Sequence, residues 1–365
     1  VGGGLSGLHA ARRLEGGGIT DGVLIESRGE LGGRLLSLPK DPGTPVRGRF
    51  DLGATWFWPD MQPELGRLVA ELGLDTFEQP DAGDLLLDRR GAGAATRARG
   101  WRSEPASMRL LGGMGTLVDA TARRVVSTRI LTGHRVTRIS CGTAGLTLEA
   151  TDDQGRLVSF RASQVLLALP PRLAAATLVF EPALPDELQR QWARTATWMA
   201  PHAKYLAVYD EPFWRADGLS GTARSDIGPL VEIHDASVPG GDAALFGFVG
   251  APAEMRARVP RAALRAHCRA QLVRLFGARA GEPRAEWLKD WAADPDTATA
   301  ADRHAAHDHA SAPASTPGAG PWRHRLLGIA SEWSPRFPGY VAGAIDAAER
   351  GVAAALDTPT QEAPR

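Results

Sequence analysis

The stretch VGGGLSG at positions 1–7, followed by VLIE at 23–26, constrains this chain more than any other part of it. Val1 reads as the last residue of a strand, Gly2, Gly4 and Gly7 as a turn into the helix LHAARRL, and VLIE as a second strand. That is the opening of a βαβ unit. In such a unit Gly2 permits the tight turn, Gly4 lets a pyrophosphate approach the backbone at the helix N-terminus, and Gly7 lets helix and strand pack closely. Glu26 ends the second strand, where it is placed to accept hydrogen bonds from an adenosine ribose. The pattern predicts a dinucleotide site, with NAD and FAD both open at this point.

Length and charge set the bounds around that site. The chain has 365 residues, more than one core usually holds, which predicts two domains. Lys plus Arg and Asp plus Glu number 42 each, so the basic surplus that a phosphate backbone requires is missing and nucleic acid is not an expected partner. No apolar run is long enough to cross a bilayer, and no charged-then-apolar leader precedes the glycines, so the expected compartment is cytoplasmic. The chain starts at Val1 without Met, and further residues are expected ahead of it. Cys141 and Cys268 match neither a metal spacing nor a disulfide framework and read as reduced, mostly buried thiols.

Further along, MQPELGRLVAEL sets Leu65, Leu68, Val69 and Leu72 at helical spacing, and GAGAATRARG at 91–100 reads as a loop. A helix is expected in GGMGTLVDATARR, then strands in RVTRIS, LTLEAT, LVSFRA and VLLAL, with Pro170 and Pro171 marking a crossing between domains. A helix around Leu188, strands AKYLAVY, VEIH and ALFGFV, the helix RAALRAHCRAQLVRLFG and a strand AEWLKDW follow. Residues 294–321 read as mostly surface loop, in which His304, His307 and His309 lack a scaffold to orient them on a metal, so none is assigned. The tail, LLGIASEW then FPGYVAGAIDAAERGVAAAL, reads as strand, turn and helix.

SRGELGGRLLS and FDLGATW carry the argument past the dinucleotide, because Gly32 and Gly33 can pass beneath a pyrophosphate that Arg34 can reach. These stretches resemble the flavin-containing amine oxidase family, which includes monoamine oxidases, polyamine oxidases and L-amino-acid oxidases. The likeness runs nearly from end to end, through GGMGTLVDA, HRVTRI, VLLALPP, KYLAVYDEPFWR, and ASEW with FPGYVAGAIDAAERG, in the family's order. It implies an α/β fold, with a Rossmann-like FAD-binding domain over 1–60, 112–170 and 289–365 and a discontinuous α+β substrate domain over 61–111 and 171–288.

The resemblance also implies roles. Ser27, Arg28 and Arg34 would lie at the nucleotide and diphosphate end, and Gly53, Ala54, Thr55 and Trp56 along the isoalloxazine ring. Val136 would meet the adenine through its backbone, Glu332 the ribityl or pyrophosphate end, and Trp291 the side of the ring. Gly339 to Gly343, including Val341, would aim a helix N-terminus at the pyrimidine edge and favour the reduced ring. Lys204 stands where the family carries a lysine linked through water to flavin N5, and Tyr340 where monoamine oxidases place one aromatic wall of the substrate cage.

The implied reaction moves hydride from the α-carbon of an amine to N5, gives an imine that water hydrolyses, and returns the electrons to oxygen as peroxide. The sequence departs from the family after DWAADP. A second cage aromatic is absent, its place falling near Ala300 or Ala301, and the cysteine that binds flavin in some relatives is missing, so the FAD is expected to be non-covalent. Trp56 stands where amino-acid oxidases carry a carboxylate-binding arginine, which lowers an amino-acid substrate. The alternatives carried forward are an L-amino-acid oxidase, a flavin-dependent desaturase or dehydrogenase, and a flavin-binding partner without turnover. A homodimer is compatible with all of them.

Overall fold

The structure, a computed structural model, describes residues 1–41, 43–100, 102–304 and 311–357. The chain divides into two compact units: Val1–Leu35 with Leu117–Ala200 and Pro295–Arg365, and Leu36–Thr116 with Pro201–Asp294.

In the first unit the opening residues run as an extended track between two neighbours. The Gly2 N–H donates to the Ile25 carbonyl at 2.8 Å, and the Ala168 N–H to that of Val1 at 2.7 Å. Strand Val23–Ile25 pairs in parallel with Arg129–Leu131, and Val165–Leu167 in parallel with Leu326–Gly328. Parallel strands need covering on both faces. Helices Leu5–Gly16 and Val341–Leu356 meet through Ala10, Ile329, Ala348 and Val352. A separate sheet of Arg135–Gly142, Gly145–Thr151 and Leu157–Ala162, joined by Val179–Glu181, buries Ile139 and Leu148 with Trp192, Trp322 and Trp333.

The second unit is built on a seven-stranded sheet in the order Ala285–Asp290, Ala203–Tyr209, Ala243–Val249, Leu230–Asp235, Leu219–Ser225, Asp84–Asp88, Thr96–Ala98. Side chains alternate between faces at period two. Tyr205, Ala207, Leu245, Ile233 and Leu288 therefore pack with Leu264, Cys268 and Leu272 of helix Arg261–Phe276. The other face carries Leu206, Val208 and Phe246, which share a core with Phe50, Leu52 and Trp56.

Several expectations change. The stretch expected as a loop at 91–100 contains strand Thr96–Ala98, an exposed edge with no apolar face to betray it, and strand Leu219–Ser225 was not anticipated. The chain leaves the first unit after Ala200 rather than at Pro170 and Pro171, because Leu178, Phe180, Leu188 and Trp192 pack into that unit's core. Residues 36–60, 112–116 and 289–294, expected in the opening domain, group with the large sheet. The segment expected as surface loop holds a 3-10 turn at Ala300–His304 whose Asp302 is fully buried. Asp302 accepts from Arg172 at 2.7 Å, from the Thr197 N–H at 3.1 Å and from Thr299 at 2.8 Å. His307 and His309 lie outside the described residues. Among the described residues no helix is long and apolar enough to cross a membrane, and no metal-ligating cluster occurs.

Candidate active site

The glycines of the opening turn divide into two kinds. Gly2 sits at φ 106°, and a Cβ there would lie 2.7 Å from the Ala168 carbonyl oxygen; a Cβ on Gly7 would lie 2.0 Å from that of Gly2. Both are dictated by the fold. A Cβ on Gly4 would meet nothing nearer than the Gly32 oxygen at 3.9 Å and the Gly33 Cα at 4.0 Å. Gly4 bridges to Gly32 in parallel, so the glycine runs 2–4 and 32–33 face each other, and Gly4 caps helix Leu5–Gly16 without a side-chain hydrogen bond. The helix therefore presents free backbone N–H groups over open ground, which fits a pyrophosphate.

Glu26 is buried and accepts from the Gly3 N–H at 2.5 Å, the Arg28 N–H at 2.8 Å and the Ser27 hydroxyl at 3.2 Å. It braces the turn in addition to any ribose contact. Ser27 also donates to Asp296 at 2.9 Å and Arg28 to Thr297 at 3.1 Å, so the segment that departs from the family pattern lies against the expected nucleotide residues. Arg34 and Glu332, 298 residues apart, form a two-pronged pair at 2.5 and 2.9 Å, with Ser331 at 3.1 Å. Burial alone would raise Glu332, but the Arg34 charge and hydrogen bonds outweigh it and hold the carboxyl below its ordinary range. Val136 is buried in the core opposite Ala150. Gly339, at φ 82°, has no room for a Cβ against Trp198, and half-exposed Tyr340 is the extended N-cap residue of Val341–Leu356.

In the sheet unit, Gly53, Ala54, Thr55 and Trp56 follow the short strand Phe50–Asp51. Lys204, 3% exposed, donates to the Thr55 hydroxyl at 2.6 Å and the Gly53 carbonyl at 3.4 Å, and its nitrogen stands 3.9 Å over the Phe246 ring. Burial pushes its pKa down to about 7; Asp51 opposes the shift and Arg109 adds to it. Trp291 donates to the Leu52 carbonyl at 3.0 Å. Lys289, directly across the sheet from Lys204, lies over the Trp291 ring at 4.3 Å and pairs with Asp294 at 2.5 Å. Sequence reading assigned no role to Lys289, Asp51 or the pair Glu232–His234, although all lie inside stretches it quoted, AEWLKDW, FDLGATW and VEIH.

The Lys204 environment sets a pH dependence. Between about 7 and 10.5 the unfolded lysine holds a proton that the native one has released, so stability rises with pH across that window. Denaturant melts over that range should show the rise in the native protein and lose it in Lys204→Met.

The sequence profile described as flavin containing amine oxidoreductase matches residues 5–103 and 102–356. The chain belongs to this family. Its cofactor is accordingly a flavin, as the sequence implied. A protein of Mycobacterium tuberculosis that bears the provisional name flavin-containing monoamine oxidase is 34% identical over 166 residues, 44% of this chain and 34% of that protein. The chain thus spans about a third of the length of the curated relative it matches. A solved putrescine oxidase bound to putrescine shares the fold at TM-score 0.73 and 21% identity, with 97% of both chains covered. Cyclohexylamine oxidase from Brevibacterium oxydans does so at TM-score 0.77 and 19% identity, again with 97% of both.

Proposed function

We propose that this member of the family is a FAD-dependent amine oxidase, with a Rossmann-like βαβ opening and non-covalently held FAD. The observation that carries the reading is the lodging of Lys204 against Thr55 and Gly53, residues of the FDLGATW motif, on an aromatic sheet face. Gly4 and Gly33 leave room for the pyrophosphate, Arg34 is oriented by Glu332 beside it, and Glu26 is the ribose acceptor. A bound flavin would supply a hydride acceptor for the amine's α-carbon and a route for the electrons to oxygen.

The chain's own residues orient, exclude water and move protons. Trp56, Phe246 and Phe248 pack their rings within 6.5 Å of one another and form an apolar wall that suits a neutral amine. Lys204, with a pKa near 7, can hold a proton or release it at physiological pH, which suits a residue assisting oxygen reduction. Tyr340 would offer its ring face to the amine nitrogen. An amino-acid substrate would need a cation dedicated to its carboxylate; Arg224 on the same sheet is tied to Glu232, and buried Arg109 to the Ala236 and Ser237 carbonyls.

The test is to load the protein with FAD and mix it without oxygen with cyclohexylamine or putrescine. Bleaching of the flavin absorbance, faster at alkaline pH where the amine is neutral, and peroxide on admitting air are expected. A protein that takes up FAD but is bleached by no amine would instead be the flavin-binding partner without turnover.

A further inference from the structure

Strand Leu230–Asp235 sets a polar pair into the aromatic face that carries Lys204. Register places Glu232 opposite Phe248 and His234 opposite Phe246, and the next strand places Lys204 opposite Phe248. These five side chains therefore share a face of the sheet. The His234 ring meets Trp56 edge-on at 4.9 Å between centroids and lies 5.2 Å from Phe246, which carries Lys204 on its ring. His234 Nε2 lies 2.6 Å from Glu232 Oε1, with side-chain exposures of 14% and 26%.

A carboxylate only accepts, so this contact fixes the proton on Nε2 and leaves Nδ1 as a bare acceptor. Nδ1 has no hydrogen-bond partner among the described residues, and it is not sealed in the core. An imidazole that only filled space among aromatic rings would not need a carboxylate to set its tautomer. The charged groups facing the pair are Arg224, which binds Glu232 from one neighbouring strand, and Lys204 beyond Phe246 and Phe248 on the other side; Arg109 meets the end of the strand at the Ala236 and Ser237 carbonyls.

We propose that His234, oriented by Glu232, is the proton acceptor for the substrate: Nδ1 takes the proton that an amine arriving as an ammonium must lose before its α-carbon can yield hydride. The ammonium N–H bond breaks, an Nδ1–H bond forms, and the electron pair stays on the amine nitrogen, so no oxidation occurs in this step. Glu232 stabilises the resulting imidazolium, which returns its proton to solvent. His234 is then a catalytic residue and Glu232 a positioning residue. The inference rests on the amine-oxidase reading and adds how that site receives a charged primary amine.

Two measurements test it. In the ligand-free protein, imidazole 15N resonances assigned by difference with His234→Leu should report the Nε2–H tautomer, and Glu232→Gln should shift the balance toward Nδ1–H; an Nδ1–H imidazole in the native protein overturns the proposal. In the FAD-loaded protein, anaerobic bleaching by cyclohexylamine should be slower by about a hundredfold in His234→Leu at neutral pH, with the deficit closing above the amine's own pKa. Glu232→Gln should fall the same way by about tenfold, which keeps the test alive if the first variant does not fold. Equal rates in native and variant proteins at every pH sink the base but leave the oxidase reading intact. A native protein that cyclohexylamine and putrescine never bleach overturns both.

Discussion

Gly4→Val leaves the protein folded and colourless. Gly4 is extended, at φ −77° and ψ −178°, a conformation open to any residue, and a Cβ there meets no atom nearer than 3.9 Å. The apoprotein should melt within about 0.5 kcal/mol of the native one, as surface substitutions usually do. The new side chain instead fills the ground between the two glycine runs, the place proposed for the pyrophosphate at the helix N-terminus. Affinity for FAD should fall by more than about a hundredfold, roughly 3 kcal/mol or more. Gly7→Ala is the contrast: its Cβ would sit 2.0 Å from the Gly2 carbonyl oxygen, so the opening turn must rearrange and the protein should lose stability before cofactor binding can be assessed. Titration of each apoprotein with FAD, beside its thermal melt, decides the matter. A yellow Gly4→Val protein would remove the pyrophosphate from this turn.

Replacing Lys204 by Met should slow reoxidation of the reduced flavin by about a hundredfold, the scale on which loss of one positioned donor acts, while FAD affinity stays unchanged. Met matches the length of the lysine stem and packs well on aromatic edges such as those of Phe246 and Phe248, so the fold tolerates the change. Because the lysine pKa lies near 7, the native reoxidation rate should decline as pH rises through that value, and the variant's should stay flat. Lys289→Met is the control: it removes a neighbouring charge that is already paired with Asp294, and should change the rate far less. Stopped-flow mixing of reduced protein with oxygen reads all three. Equal rates for native protein and Lys204→Met would take the oxygen role from this residue.

The sequence made the opening turn legible because its constraints are local. Gly2 and Gly7 are required by backbone atoms a few letters away or in the adjoining strand, so the motif and the geometry are nearly the same statement. The family likeness, carried by such stretches, agrees with the profile match over most of the chain. Pairings across the sequence were not legible. Arg34 and Glu332 were both named, but their mutual bond joins positions 298 residues apart. The polar pair on Leu230–Asp235 showed only as letters in a strand, since its meaning depends on Phe246, Phe248 and Lys204 arriving in register. Asp302 lay in a stretch rich in Ala, Asp and His that reads as solvated; two distant partners, Arg172 and Thr197, together with neighbouring Thr299, make it a buried anchor.

The unequal crowding around the three motif glycines has an evolutionary consequence. Packing guards Gly2 and Gly7 whether or not a coenzyme is ever bound, whereas Gly4 is guarded only by the coenzyme contact proposed for it. A duplicated copy released from redox work would keep the first two and drift at the third, still folding and still scoring well in a motif search. Within this lineage, the letter at position 4 is therefore a sharper marker of surviving flavin dependence than the motif as a whole.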